Sequence, residues 1–576
     1  MDLNKESFVD FIFIVAAVLS YSWHNADETW QSVEVAHKLV FGTGYLTWEW
    51  TNDIVGPIRS YIHPLIFVPV MYLLKIVSLD YYWMIALAPR IQQGIITAFG
   101  DYYITKFYEL NFGKSNRRWF LLLYTTNVYL LYCGSRTLIN TLELNLTCIA
   151  LYNYSKAIKF YDKKEKSERK ESKNSNSPSV IEETSNSSIY EVTYVILIST
   201  SFVIRPTTAI FWIPLVLRHL NIICKHHLVI RTLLCKLVPC AFTTLTVAAF
   251  IDSLMFGKMV FIPWNFFRVN ILNNVSIQYG VEPWYYYLTH TLLPFLHVSS
   301  WHVIRGMIKS IPDKNLNNIY LYSIVWTITV LSCLAHKEQR FILPFIPLLL
   351  CYAAYFVRKH FNRLSEFDLE KYFENPENLN LNTIQQKISE FENQNNIKTG
   401  TAVIIATVNF YALLYLLFCH KVGQTSVVSY LAKDFETHQR DSHHKTNVMF
   451  LLPCHSTPLY SHFHLDYPLE FLKCPPVMDT TWKAYADGKD EQDFFFEYPA
   501  KWVEKNLGSK SVGNTTKLPS HIVIYDTQAD LEVFQTFFRD HDYMKCIDIF
   551  NTLMKENERH GNRVHVYCRR KKYISI

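Results

Sequence analysis

Residues 319–357 read IYLYSIVWTITVLSCLAHKEQRFILPFIPLLLCYAAYFV. Two apolar runs, 319–335 and 341–357, enclose five consecutive polar residues, His336, Lys337, Glu338, Gln339 and Arg340. Each run approaches the ~20 residues that a helix needs to cross a bilayer. Charges are costly in hydrocarbon, so the polar quintet belongs at a membrane face, between two passes. Working outward, further apolar stretches occur at 61–79, 84–104, 119–134, 138–155, 191–217, 228–251, 286–304 and 402–420, with a first one from Phe8 to Tyr21. No small-residue cleavage site follows Tyr21, so this first run reads as a retained anchor. The pattern is that of an all-α polytopic membrane protein with roughly 10–12 membrane segments. Arg205-Pro206-Thr207-Thr208, Pro214, Pro239, Pro294, Pro344 and Pro347 interrupt several stretches, predicting kinked or broken helices.

Composition agrees. The 576 residues are 50% apolar, 15% aromatic and only 18% charged, against roughly 25% charged in a soluble domain. That disfavours a soluble globular enzyme, and 37 Tyr, 39 Phe and 13 Trp exclude disorder or a coiled coil over most of the length. The formal charge of +6 is modest; no nucleic-acid partner is expected. Cys133, Cys148, Cys224, Cys235, Cys240, Cys333, Cys351 and Cys419 fall in or beside apolar runs and read as packing thiols.

Charge placement orients the chain. The polar tract 358–400 opens with Arg358, Lys359, His360 and Arg363 directly after a span, which favours the cytosol. Counting from it, 336–340, 252–285 and the loop 24–60 become lumenal, and the span 402–420 delivers 421–576 to the lumen. The domains are therefore a membrane body, 1–420, and a lumenal tail, 421–576. One stretch resists the count. Residues 156–190, basic and then rich in Ser and Asn, read as a flexible polar linker whose lysines favour the cytosol. Four crossings between Ser60 and Lys156 would instead leave it lumenal, unless one apolar piece is re-entrant or 191–217 is a hairpin.

The tail mixes strand-like runs, His521 to Tyr525 and Val564 to Tyr567, with a helical pattern from Leu531 to Phe538. A small α+β domain is expected. Its cysteines, Cys454, Cys474, Cys546 and Cys568, make one or two disulfides possible in an oxidising lumen. Asn-x-Ser/Thr sequons stand at Asn514 and Asn274. A zinc site from Cys454, His455, His462 and His464 matches no common spacing.

Ionisable residues gather in four places. His24-Asn25-Ala26-Asp27-Glu28 precedes the aromatic run Tyr45-Leu46-Thr47-Trp48-Glu49-Trp50. An acid pair beside Trp and Tyr suits a general base next to a sugar platform, and equally an interfacial aromatic belt. Arg136, Asn140 and Glu143 share one helix face, as substrate contacts or as an internal ion pair. Asp252 to Tyr287 alternates aromatic and amide residues, among them Trp264 and Asn265, as a lipid-linked saccharide or an interfacial helix would require. The quintet at 336–340 is the sharpest: Arg340 offers a bidentate fork and Lys337 a point charge for a phosphate.

With His336-Lys337-Glu338-Gln339-Arg340-Phe341 and Asn25-Ala26-Asp27-Glu28 in view, the chain resembles glycosyltransferase family 22, the dolichyl-phosphate-mannose-dependent mannosyltransferases of the endoplasmic reticulum. Trp30 to His37, Gly44 to Trp50, Pro453 to Pro458 and Cys474-Pro475-Pro476 are similar to the branch acting on glycosylphosphatidylinositol precursors. The resemblance implies a GT-C fold with a lumenal active site. It also implies inverting transfer of the third mannose, in α1,2 linkage, from dolichyl-phosphate-mannose to that glycolipid. By the same resemblance Asp27 is the base, with Glu28 as partner or alternate. Lys337 and Arg340 stabilise the donor phosphate, and His336, Glu338, Arg136, Trp48, Trp264 and Asn265 are further substrate-binding candidates. No cofactor or metal is expected, and protein partners are not indicated. Ala26 replaces the family's usual proline and Thr29 its usual aromatic residue, predicting a less rigid acid loop. Competing readings are a mannosyltransferase of dolichol-linked oligosaccharide assembly and, in a different class, a lipid or solute transporter with inverted repeats.

Overall fold

The computed structural model describes residues 22–51, 56–114, 117–171, 180–297, 299–313, 316–362, 381–438, 447–476, 490–508, 518–555 and 557–569. The first apolar run (8–21), the Asn514 sequon and residues 172–179 and 363–380 lie outside the described residues. The chain builds a helical body and a small mixed α/β tail. Tyr82–Phe112, Ile139–Glu171, Val180–Ile204, Thr208–Lys225, Val238–Phe256, Ile319–Cys333, Ile346–Asn362 and Leu381–Phe418 are its long helices. Equally apolar helices take different places. Residues 339–357 are almost wholly buried at the centre, whereas 229–256 turns Ile230, Leu234, Phe242, Phe250 and Leu254 outward, as a lipid-facing helix must.

Polar contacts identify the two ends of the body. At one end Arg340 meets Asp27 at 2.7 Å. There too Ser60 Oγ and the Tyr61 N–H donate to Asp252 at 3.0 and 2.8 Å, and the Trp23 N–H donates to the Lys421 carbonyl at 3.0 Å. Loops 24–60, 252–285 and 336–340 and the tail thus share one face of the body. At the far end Asn111 donates to Ser155 at 3.2 Å, Tyr161 bonds Glu191, and Lys236 pairs with Glu191 at 2.7 Å.

Contacts at these ends change the crossing count that leads to 156–190. Residues 61–79 do not cross. They form two short helices, Ile62–Leu65 and Val68–Ile76, about 22 Å long at 1.5 Å per residue, against a ~30 Å hydrocarbon core. Lys75 then donates to the Val40 carbonyl at 2.7 Å, and Asp80 faces His464 at 3.8 Å, so the chain returns to the face it left. Phe67, Met71 and Leu74 pack on Val33, Ala36 and Ile85. Three crossings remain before Lys156, which places it at the far end. The linker itself is shorter than the composition predicts: the helix from Ile139 continues to Glu171 and the next starts at Val180. Lys, Glu and Arg are good helix formers, and a hydrophilic run at a helix end extends the helix into water. The polar tract 358–400 is likewise entered from both sides, by Ile346–Asn362 and Leu381–Phe418.

The tail begins with helix Gly423–His438 and a five-stranded sheet of β1 (Val448–Leu451), β2 (Leu469–Phe471), β3 (His521–Tyr525), β4 (Tyr543–Phe550) and β5 (Arg563–Arg569), ordered β2-β1-β3-β5-β4. β1 pairs parallel with β2 and β3; β5 pairs antiparallel with β3 and β4. One face packs Val448, Phe450, Val523 and Val566 on the helix 423–438 through Val427, Val428 and Leu431. The other packs Leu451, Ile522 and Ile524 on Trp502, Phe534 and Phe538. Both cysteine pairs are bridged, Cys454 to Cys474 and Cys546 to Cys568.

Candidate active site

The acid pair opens a helix, and the helix separates the two acids. Asn25 is the N-cap, its side chain accepting from the Asp27 N–H at 3.0 Å. Ala26 stands at the first helical position, where the family's proline would fit, and the Asn25 cap together with Arg340 bonding to its side-chain oxygen at 3.1 Å fixes the turn that proline would stiffen. Successive residues point about 100° apart, so Asp27 and Glu28 face different surroundings.

Asp27 faces a cavity of about 1050 Å³ between the body and the tail. Arg340 contacts it at 2.7 Å and holds Glu338 through its second nitrogen at 2.5 Å. His336 adds to Glu338 at 3.1 Å. On the other flank Arg59 lies 4.0 Å from Asp27 and is bound to Glu49 at 2.6 and 2.8 Å. The Gln31 amide donates to both oxygens of Glu49, at 3.0 and 3.3 Å. The result is one chain of charges: His336, Glu338, Arg340, Asp27, Arg59, Glu49. Burial alone would raise the Glu338 carboxyl, but Arg340 and then His336 pull it down to about 2. Burial raises Glu49 against the pull of Arg59, and the Glu338 hydrogen bond raises His336 although burial opposes it.

Glu28 faces the other way and is fully buried. Arg136 pairs with it at 2.8 Å and Arg90 at 3.3 Å. Arg136 also donates to the Ser22 carbonyl at 2.9 Å and lies over the Tyr132 ring at 4.1 Å. Neither Glu28 nor Arg136 lines the cavity; their place is inside the wall that carries Asp27. Asn140 donates to the Arg340 carbonyl at 3.2 Å, while Glu143 pairs with Arg205 at 2.6 Å. Arg205 in turn stacks on Phe341 at 4.5 Å.

Of the other predicted contacts, Trp48, His336, Lys337, Glu338 and Arg340 line the cavity. Lys337 donates to the Glu282 and Leu334 carbonyls at 2.7 and 2.5 Å, so it ties two loops together. Trp264 is half exposed and outside the cavity. Asn265 donates to the Pro57 carbonyl at 2.9 Å and shapes the loop below it. Arg59, Glu49, Gln31 and Tyr279 were not singled out from the sequence, although Glu49 stands in the quoted aromatic run. Tyr279 meets Trp48 only through the fold, and no local spacing pairs Arg59 or Gln31 with Glu49.

A second cavity of about 760 Å³ shares Asn25, Ala26, Lys337, Glu338, Arg340, Cys454 and His455 with the first. Its other walls are aromatic and apolar, with Trp23, Tyr129, Tyr132, Phe295, Tyr415 and Leu416, and its rim carries His420 and Lys421. The tail closes both cavities. Trp30 Nε1 donates to the Thr457 carbonyl at 3.0 Å, and Glu34 accepts from the Tyr460 and Ser461 N–H groups at 3.1 and 3.0 Å. Of the donors considered for zinc, Cys454 and His455 lie together beside Cys474, but Cys454 is bridged to Cys474, and His464 is bonded to His37 at 2.8 Å.

Comparison with known proteins gives a consistent neighbourhood. The Alg9-like mannosyltransferase family matches residues 7–464. A "GPI alpha-1,2-mannosyltransferase 3" of Danio rerio is 30% identical over 99% of this chain and 90% of its own length. A protein of that name from Homo sapiens is 29% identical over 95% of this chain and 83% of its own. Among solved structures, ArnT from Cupriavidus metallidurans, bound to undecaprenyl phosphate, superposes with a TM-score of 0.55 at 12% identity, covering 97% of this chain and 96% of that one. This likeness establishes a GT-C fold.

Proposed function

Because this chain belongs to the Alg9-like mannosyltransferase family, and is therefore a membrane glycosyltransferase rather than a transporter, we propose that it transfers the third mannose, in α1,2 linkage, to the glycosylphosphatidylinositol precursor. Dolichyl-phosphate-mannose is the donor, and the shared face of loops and tail looks into the lumen of the endoplasmic reticulum. The relatives' names support the acceptor. The observation that carries the mechanism is the position of Asp27 and Arg340 at a wall between two unlike cavities. The aromatic cavity suits the polyprenyl chain, and the polar one suits the acceptor glycan.

In this reading the donor phosphate sits at Arg340, whose planar fork suits two phosphate oxygens. The acceptor hydroxyl attacks the anomeric carbon from the opposite side. The new C–O bond forms as the bond to the phosphate oxygen breaks, and dolichyl phosphate leaves with the electron pair. Asp27 takes the hydroxyl proton. A phosphate that competes for the same guanidinium releases the Asp27 carboxylate from Arg340. Release of the base is then coupled to donor occupancy.

The test is mannose transfer from dolichyl-phosphate-mannose to a two-mannose glycolipid precursor, in membranes lacking the endogenous enzyme. Wild type makes the three-mannose product, and Asp27→Asn does not at equal protein level. Extension of dolichol-linked oligosaccharide instead would overturn the acceptor assignment, and an active Asp27→Asn would remove the base.

A further inference from the structure

The chain of charges at the wall has a direction. Arg340 and Glu338 lie on one side of Asp27, next to the aromatic cavity; Arg59 and Glu49 lie on the other. If the phosphate leaves toward Arg340, the attacking hydroxyl arrives from the Glu49 side. That side has features of a saccharide site that ion pairing does not require. Gln31 is 3% exposed and spends its amide hydrogens on Glu49, which leaves its side-chain oxygen buried with no hydrogen-bond partner among the described residues. Thr47 is 5% exposed, and its hydroxyl oxygen is likewise buried and unpartnered. Both residues line the large cavity. A buried polar atom without a partner is costly, and such atoms at a cavity wall mark where a ligand completes the bonding.

An apolar surface accompanies them. Trp48 and Tyr279 lie parallel within 9°, with ring centres 6.5 Å apart, and both line the cavity. Sugars present an apolar C–H face and a hydroxyl edge, and an aromatic pair beside buried hydroxyl-bonding groups matches both. Glu49 lines the same wall and is held in place by Arg59 and Gln31.

We propose that Gln31, Thr47, Trp48 and Tyr279, set in position by Glu49 and Arg59, form a subsite that binds the terminal sugar of the acceptor and presents its hydroxyl to Asp27. The assignment rests on the acceptor reading above. It makes Thr47 and Gln31 specificity residues, and Glu49 a positioning residue that also faces the sugar.

The experiment varies acceptor at saturating donor, then donor at saturating acceptor, for wild type, Thr47→Val, Thr47→Ser and Trp48→Phe. Valine keeps the shape of threonine and removes the hydroxyl. The acceptor KM should rise about tenfold in Thr47→Val, the loss of one buried hydrogen bond, with donor KM within about twofold of wild type; serine should restore it. Trp48→Phe should raise the acceptor KM severalfold and leave the donor KM unchanged. An unchanged acceptor KM in both Thr47→Val and Trp48→Phe, or a rise confined to the donor KM, overturns the subsite. If Thr47→Val does not accumulate, Trp48→Phe decides by the same split. Failure of the wild type to extend the two-mannose acceptor sinks the function instead, so the two failures are distinguishable.

Discussion

Asp27 and Glu28 are neighbours with the same chemistry, yet their surroundings differ in every respect that matters for reactivity. Asp27 faces a cavity, keeps a fifth of its side chain exposed, and is held by an arginine that a phosphate can claim. Glu28 has no exposed surface and is clamped by Arg136 and Arg90, neither of which lines the large cavity. Ser32 and Thr137 hydroxyls both donate to the Glu28 carbonyl, so the backbone here is fastened as well. In the proposed mechanism one acid exchanges a proton with a substrate, and the other holds the wall in which the first is mounted. A helix turn of about 100° is enough to divide catalysis from architecture.

The sharpest way to break this comparison is to neutralise each acid in turn. Asp27→Asn should lower transfer by about 10²–10⁴-fold, the usual contribution of a positioned base, with unfolding temperature close to wild type. Glu28→Gln should act on stability first. Removing one partner of a buried pair leaves Arg136 with uncompensated charge, at about 3–5 kcal/mol, and protein yield and thermal unfolding should fall together. Enzyme that does fold should retain its pH profile. If Glu28→Gln were as stable as wild type but inactive, the division of roles would be reversed.

Much of this division was out of reach of sequence reasoning, for identifiable reasons. The apolar runs disclosed a membrane body because hydropathy is a local property, and β3 coincides with the run His521 to Tyr525 read as a strand. The stretch 61–79 looked like a span because it is apolar; only its contacts to Val40 and His464 reveal that it turns back. Asp27 and Arg340 were legible because each stands in a compact motif. Arg59 and Arg90 were not, since each is a lone arginine whose partner is fixed through space. Glu28 could not be told from Asp27, because which of two adjacent acids faces a cavity depends on where the helix begins, and the Asn25 cap decides that.

The seam between body and tail offers a gentler perturbation. His37, His455, His462 and His464 are all held below their ordinary values, chiefly by burial, His37 and His455 at about 4. The Thr43 carbonyl requires a proton on His37 Nδ1, at 2.7 Å. His37 Nε2 is then the acceptor and His464 Nδ1 the donor at 2.8 Å. Asp80, 3.8 Å from His464, is the acid that faces this pair, while Arg90 opposes charge on His462. The folded state binds fewer protons than the unfolded one between about pH 4 and 6.5, so stability rises with pH across that window and is lost on acidification. Between about pH 6.5 and 4, each unit of acidification should remove up to about 1.4 kcal/mol for each of His37 and His455. Thermal unfolding of the detergent-purified protein at pH 7.5 and 5.5 measures this; identical curves would mean that the seam does not exclude water.

The smallest expected effect tests whether the tail serves the site by contact or by position alone. Trp30 follows the acid pair by two residues, and its ring packs on His455 at 4.4 Å and on Phe471 at 5.2 Å. Trp30→Phe keeps an aromatic ring in that place but removes the Nε1 donor, stranding the Thr457 carbonyl. The cost is one hydrogen bond, about 1 kcal/mol, visible as a shift of a few degrees or less in thermal unfolding. Catalysis should be nearly untouched, because the Asp27 backbone N–H is capped by Asn25 and its carboxylate is held by Arg340 and Arg59 from the body's side of the cavity. A large loss of kcat in Trp30→Phe, with the protein still folded, would show that the tail helps to aim the acid. The boundary between catalysis and architecture would then lie at the seam, and not between Asp27 and Glu28.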